Sequence, residues 1–228
     1  WPLSMPPVIS EDDIKIAQLE SDYEYQYRIG LGERYGKLLQ SMSGIHYNFE
    51  LGKDLTQQLF ELSEETDFVA FKNTLYLKLA QNFLNYRWLL TYLYGASSLA
   101  EKGFLSEEVG CVRSIRNSKH GYVNAEDVHI SFSSLEQYVA DIEHAVQSGQ
   151  LSAEKEFYSS VRLRGAKTSR DFLSKGISYL EFRTFDLNPY DPFAISQETL
   201  DTVHLFLLAL LWLDQLADVD NALTKADR

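Results

Sequence analysis

Apolar residues recur at Phe71, Leu75, Leu79, Phe83 and Leu90 within a stretch from about Asp67 to Tyr94 that holds neither Pro nor Gly. That spacing predicts a long helix, with Gly95 as its stop. A second helix is predicted where Ser133-Ser134-Leu135-Glu136 matches a capping box and Leu135, Tyr138, Val139, Ile142 and Val146 keep helical spacing up to Gly149. Residues 22–41 read as a Tyr-rich helix weakened by Gly30, Gly32 and Gly36, at about 1 kcal/mol for each interior glycine. A final buried helix is predicted from about Gln197 to Leu216.

Two segments alternate instead of turning. In Ser43-Gly44-Ile45-His46-Tyr47-Asn48-Phe49-Glu50, His46, Asn48 and Glu50 share one face of a strand over 44–51, and Ile45, Tyr47 and Phe49 take the other. In Tyr179-Leu180-Glu181-Phe182-Arg183-Thr184-Phe185-Asp186, Glu181 and Arg183 point one way while Leu180 and Phe182 point the other. The opening Trp1–Pro7 stretch reads as extended, because each proline restricts the residue before it. Residues 104–131 read as irregular or extended, and the 150s to 170s as a mobile basic loop followed by a short helix. A turn is expected at Asn188–Pro192. With no repeats, low-complexity tracts or linker, residues 1–228 are expected to form a single domain. Separated strands among long helices predict an α+β fold: an antiparallel sheet with helices on one face and the other open as a trough.

At 228 residues and 45% hydrophobic, the chain can bury a substantial core. Its formal charge of −12 disfavours nucleic acid and anionic membrane surfaces as partners. Basic residues cluster at Arg113–Lys119 and Arg162–Arg170, readable as solvated loops or as local anion sites. The one cysteine, Cys111, excludes an intrachain disulfide and a multi-cysteine zinc site, and fits a reducing, cytoplasmic location. No Cys-His arrangement makes it a nucleophile. The apolar run Val203–Leu213 contains His204 and is too short to span a bilayer.

The polar strand faces carry the candidate chemistry. An imidazole, carboxylates and a guanidinium together suit a divalent metal beside a phosphate, and they equally suit a solvated sheet face. No G-x-x-x-x-G-K-[ST] motif occurs. The run Gly30–Gly36 has the wrong spacing for a dinucleotide loop and falls within a predicted helix.

Beyond the two strands, further blocks are Trp1–Pro6, Tyr27-Arg28-x-Gly30-Leu31, Arg34-Tyr35-Gly36, Tyr92–Ser97, Ser114-Ile115-Arg116 and Gly121-Tyr122-x-Asn124. In this order they resemble bacterial glutamate–cysteine ligase, most closely the ligase half of bifunctional glutathione biosynthesis enzymes. The resemblance runs from Trp1 to near Leu216. It implies a partial glutamine-synthetase-like ligase fold and ATP- and Mg²⁺-dependent joining of the γ-carboxylate of L-glutamate to the amine of L-cysteine through a γ-glutamyl phosphate. It makes His46 and Glu181 metal ligands, with Mn²⁺ able to replace Mg²⁺, and directs Arg183 to the ATP phosphates or the transferring phosphoryl group. Arg116 would grip a substrate carboxylate, with Arg28 a second candidate. Tyr27, Leu31, Tyr122 and Tyr158 would receive the cysteine side chain, and Asn48 and Gly44 would shape the glutamate site. It also turns the Arg113–Lys119 cluster towards an anion site.

The family's opening strands, which bring acidic metal ligands, are missing from these residues, so the chain is expected to be a segment of a longer enzyme and His46 and Glu181 alone cannot hold a full metal cluster. A fused glutathione-forming domain is a further expectation. Other readings are a ligase of the same superfamily with a different amine, and a segment that is catalytically silent when isolated.

Overall fold

A computed structural model describes residues 2–106 and 109–227; Trp1 of the opening block lies outside the described residues. Eight helices and three strands follow in the order α1 (Asp22–Tyr35), α2 (Lys37–Gln40), β1 (Ile45–Phe49), α3 (Lys53–Glu61), α4 (Phe68–Tyr94), α5 (Leu135–Gln147), β2 (Val161–Arg164), α6 (Phe172–Lys175), β3 (Tyr179–Phe185), α7 (Gln197–Trp212) and α8 (Val219–Ala226), counting the described residues. The fold is α+β, as its sequence pattern predicts. Its contacts separate into two units, with boundaries inside β1 and β3.

The larger unit comprises His46–Leu90, Asn124–Thr184 and Glu198–Arg228. Its sheet has the order β1-β3-β2, so β3 is central. Strands β2 and β3 pair antiparallel, with Val161 opposite Phe182, Arg162 opposite Glu181, Leu163 opposite Leu180 and Arg164 opposite Tyr179. Period-two alternation therefore sends Val161, Leu163, Leu180 and Phe182 to the core, where Phe182 meets Phe83 of α4 at a 4.3 Å ring separation. Strand β2 replaces the mobile loop predicted there. Four residues carry too little periodicity to announce a strand, and pairing with β3 supplies the ladder bonds.

Helix α4 matches its predicted span. Asp67 Oδ1 accepts the Val69 and Ala70 N–H groups and so caps its start. Its buried residues include three amides whose bonds leave the helix. Asn73 donates to Phe172 O at 3.1 Å and accepts from Ile177 N–H at 2.8 Å. Gln81 donates to Phe132 O. Asn82 donates to Leu210 O, one of the carbonyls that the last turn of α7 cannot satisfy internally.

Helix α5 is capped by Ser134, whose hydroxyl accepts from Gln137 N–H at 3.0 Å. The predicted cap, Ser133, lies one residue early; Ser134 and Gln137 keep the same three-residue spacing as Ser133 and Glu136. Helix α7 ends at Trp212 instead of continuing to Leu216, and α8 starts afresh behind the Asp218 cap. Only a stripe of Val203, Leu207 and Leu210 is buried on α7, whereas Leu205 and Trp212 are exposed. An unbroken apolar run disguised a helix with one buried face.

The smaller unit comprises Trp1–Ile45, Thr91–Val123 and Phe185–Gln197. Ser21 caps α1 by accepting from Glu24 N–H. The single helix predicted over 22–41 breaks at Gly36, whose φ of 85° closes α1 and opens α2. The described residues of segment 104–131 are irregular, as its punctuation predicts. Among the described residues no helix is long and apolar enough to cross a membrane.

Asn73→Ala leaves Ile177 N–H buried without its partner and removes one of two donors to Phe172 O, which keeps the Gly176 N–H. The substitution is expected to lower stability by about 2–4 kcal/mol. Urea unfolding should show a reduced midpoint with an unchanged slope. A midpoint equal to wild type would mean that water replaces both bonds.

Candidate functional site

The polar face of the larger unit's sheet gathers residues from all three strands. Glu181, on the central strand, is buried, with 7% of its side chain exposed. Arg164 of β2 donates from Nε to Glu181 Oε2 at 2.8 Å, and its Nη2 stands 2.8 Å from the same oxygen as an ion pair. The other oxygen, Oε1, faces His46 Nδ1 at 3.4 Å and Arg183 Nε at 3.5 Å. Arg183 also donates from Nε to His46 Nε2 at 3.3 Å. An imidazole nitrogen that accepts carries no proton, so this network assigns the His46 proton to Nδ1, towards Glu181. The face is open at its β1 edge, where His46 and Asn48 are exposed, and closed over β3.

Tyr158 joins this group from the loop before β2. The Arg183 guanidinium lies 5.0 Å from its ring centroid, a cation–π contact. Asn124 holds that loop on both sides: it accepts from Tyr158 N–H at 2.5 Å and donates to Glu156 O at 3.2 Å. The structure thus brings together the predicted residues His46, Glu181, Arg183 and Tyr158.

Taking His46 as neutral, two guanidiniums against one carboxylate leave this group with an excess positive charge inside an acidic protein. An anion such as a phosphate suits it. Among the described residues no group of three or more His, Cys, Asp or Glu could hold a metal ion. A pair of donors is present, however. Ligands at right angles on an ion with bonds of about 2.1 Å stand about 3 Å apart, so Glu181 Oε1 and His46 Nδ1, 3.4 Å apart, suit two positions of a larger ligand set once an ion takes the place of the Nδ1 proton.

The smaller unit builds a second polar group around Asp186, whose side chain is fully buried. Asp186 accepts from Ala96 N–H at 3.0 Å, Ser97 Oγ at 2.7 Å and Asn117 Nδ2 at 3.3 Å, and pairs with Arg116 Nη1 at 3.5 Å. Arg116 is itself buried, and donates to Phe185 O at 3.3 Å. Gly44 lies against the guanidinium: a Cβ there would stand 2.2 Å from Arg116 Cζ, so no larger residue fits without displacing it.

Tyr27, Leu31 and Tyr35 succeed one another at four-residue spacing on one face of α1, with Arg28 exposed beside them. Tyr122 meets Tyr35 edge-on at a 5.0 Å ring separation. The predicted residues Tyr27, Leu31 and Tyr122 are thereby linked through a tyrosine to which the motifs assign no part of its own. In the basic clusters, Arg113 binds the Tyr92 and Leu93 carbonyls, Arg162 binds Phe157 O, and Arg170 binds Glu143. Arg164, Asn124 and Asp186 are the contributors that the sequence pattern did not single out. The first falls in the stretch expected to be a loop; the other two stand within the motifs without an assigned part.

The glutamate–cysteine ligase family description matches residues 1–226. The glutathione biosynthesis bifunctional protein GshAB of Streptococcus mutans is 66% identical over all of this chain. The crystal structure of a bifunctional glutathione synthetase from Pasteurella multocida superposes with a TM-score of 0.90 at 46% identity, over 99% of this chain and 30% of that one. A glutamate–cysteine ligase from Francisella tularensis, solved in complex with AMP, gives 0.87 at 27% identity, over 99% of this chain and 53% of that one. The chain spans about 30% of the length of the curated relatives it matches.

Gly44→Ala is expected to destabilise the protein by about 1–3 kcal/mol, because the buried guanidinium must move. In an Arg116→Ala background the same methyl finds room and should cost less. Thermal melts of the four proteins measure this coupling. Equal losses in both backgrounds would show that the Gly44–Arg116 contact does not set the requirement for glycine.

Proposed function

The chain belongs to the glutamate–cysteine ligase family, and we propose on that basis that it is the catalytic part of an ATP-dependent ligase joining L-glutamate to L-cysteine. A γ-carboxylate oxygen of glutamate attacks the γ-phosphorus of ATP and ADP leaves, forming the γ-glutamyl phosphate. The cysteine amine then attacks the acyl carbon, loses a proton, and inorganic phosphate departs. The observation that carries this reading is the group of Glu181, His46, Arg183 and Arg164, two donor ligands beside two guanidiniums, with an excess of positive charge. The AMP bound to the Francisella tularensis ligase supports a nucleotide ligand for this fold.

His46 and Glu181 would hold Mg²⁺, or Mn²⁺ in its place, as two members of a larger ligand set. When bound, the ion neutralises charge on the ATP phosphates. Arg183 stabilises the phosphoryl group in transfer, held over the Tyr158 ring. Arg116, kept in place by Asp186, grips an amino-acid carboxylate, with Arg28 as a second contact. Tyr27, Leu31, Tyr122 and Tyr158 receive the cysteine side chain; Asn48 and Gly44 shape the glutamate site. The names of the bifunctional relatives and the share of their length that this chain spans support a fused glutathione-forming domain. The free thiol of Cys111 suits a reducing cytoplasm.

Phosphate release by the full-length protein, assayed with ATP, glutamate and a panel of amines, tests the reading. Cysteine-dependent release is expected; release with another amine alone would reassign the acceptor. Arg183→Ala should lower kcat by about 10²–10³-fold, the usual effect of removing one transition-state donor. Arg116→Ala should raise the KM of one amino acid, by roughly thirty-fold to several-thousand-fold for loss of a buried charged contact. His46→Ala should raise the Mg²⁺ requirement. Wild-type activity of His46→Ala at limiting Mg²⁺ would return this histidine to a structural part.

A further inference from the structure

A carboxylate that is to bind one ion must present a particular oxygen, and in Glu181 the two oxygens have different surroundings. Oε2 faces one edge of the Arg164 guanidinium, accepting from Nε at 2.8 Å with Nη2 paired to it at the same distance. Oε1 is left towards His46 and Arg183. Register alone does not produce this arrangement. The residue directly opposite Glu181 is Arg162, yet its guanidinium turns away to the Lys155 and Phe157 carbonyls. Arg164 stands opposite Tyr179 and reaches Glu181 along the diagonal, a distance that only a long side chain spans.

The backbone of Arg164 is secured from the other direction. Its carbonyl accepts Ser178 N–H at 2.8 Å, the last ladder bond before the chain turns away at Gly165. Backbone and fork together leave the Glu181 carboxylate little freedom to rotate. A planar guanidinium edge set against one oxygen selects which oxygen is engaged as well as supplying charge, and a lysine ammonium, a point charge, is less selective. With 43% of its side chain exposed, Arg164 also differs from a buried packing residue.

We infer that Arg164 is a positioning residue, which holds Glu181 Oε2 so that Oε1 is the oxygen presented beside His46 to a divalent cation. This rests on the reading of Glu181 as a metal ligand. Orientation and simple charge have opposite consequences for cation binding. Removing a counter-charge frees the carboxylate and strengthens its hold on a cation. Removing an orienting partner weakens it, by about 10–100-fold for groups that hold a metal ligand in place.

The test is Mn²⁺ binding to the full-length protein, followed by the electron paramagnetic resonance signal of free Mn²⁺. The wild type is compared with Arg164→Gln, Arg164→Lys, Glu181→Gln and the double variant Arg164→Gln/Glu181→Gln, with folding checked by circular dichroism. Arg164→Gln is expected to weaken the Glu181-dependent Mn²⁺ site about 10–100-fold. Arg164→Lys, which keeps the cross-strand cation and the fold, should weaken it by less. The double variant should bind no more weakly than Glu181→Gln, because Arg164 acts through that carboxylate. Tighter or unchanged binding in Arg164→Gln, with Glu181→Gln still losing the site, would overturn the positioning role and leave the ligand reading standing. An equal loss from Arg164→Gln in the Glu181→Gln background would do the same. Wild-type Mn²⁺ binding by Glu181→Gln would overturn both.

Discussion

A carboxylate buried at the centre of a sheet must have its lone pairs met by donors, because an unpartnered buried charge costs several kcal/mol and one deprived of its partner about 3–5 kcal/mol. Glu181 imposes that constraint on the larger unit. Its side chain is 7% exposed, and it draws Arg164 from β2, His46 from β1 and Arg183 from its own strand onto one face. The opposite face of the same strand contributes Leu180 and Phe182 to the core. Strand β3 is thus buried on both sides for different reasons, apolar packing on one and charge compensation on the other. The catalytic geometry proposed for His46, Glu181 and Arg183 is the geometry that this compensation requires.

The smaller unit satisfies a second buried carboxylate differently. Asp186 gathers a backbone N–H, a hydroxyl, an amide and a guanidinium from residues between Ala96 and Asn117. That stretch is largely irregular and has few ladder bonds of its own, so side chains take over the pairing that regular structure would supply. Arg116 is held there as one partner among several, and Gly44 leaves the room that its guanidinium occupies. The buried arginine and the glycine in the strand motif are two sides of one steric arrangement.

Helix α4 shows how a buried helix can be anchored without an apolar stripe facing a single partner. Asn73, Gln81 and Asn82 each carry a backbone carbonyl from a different part of the larger unit: the end of α6, the residues before α5, and the last turn of α7. In each case the amide gives a buried backbone carbonyl a bond from outside its own segment.

Periodicity and punctuation determined the long elements. The span of α4, the body of α5, the alternation in β1 and β3 and the irregularity of the described residues of 104–131 were all legible, because each depends on residues within a few positions of one another. The motif residues His46, Glu181 and Arg183 were legible too, since alternation places their side chains on a common kind of face. Tertiary structure alone decided that Val161–Arg164 is a strand, that α7 stops at Trp212 with one buried stripe, and that Gly36 divides a helix. It alone chose Arg164 over the directly opposed Arg162 as the partner of Glu181, and Asp186 as the partner of Arg116. Such pairings join residues 17 and about 70 positions apart for Glu181 and Arg116 respectively. They follow from strand register, from the reach of a diagonal side chain and from the cost of a buried charge, none of which leaves a mark in the local pattern of apolar and polar residues.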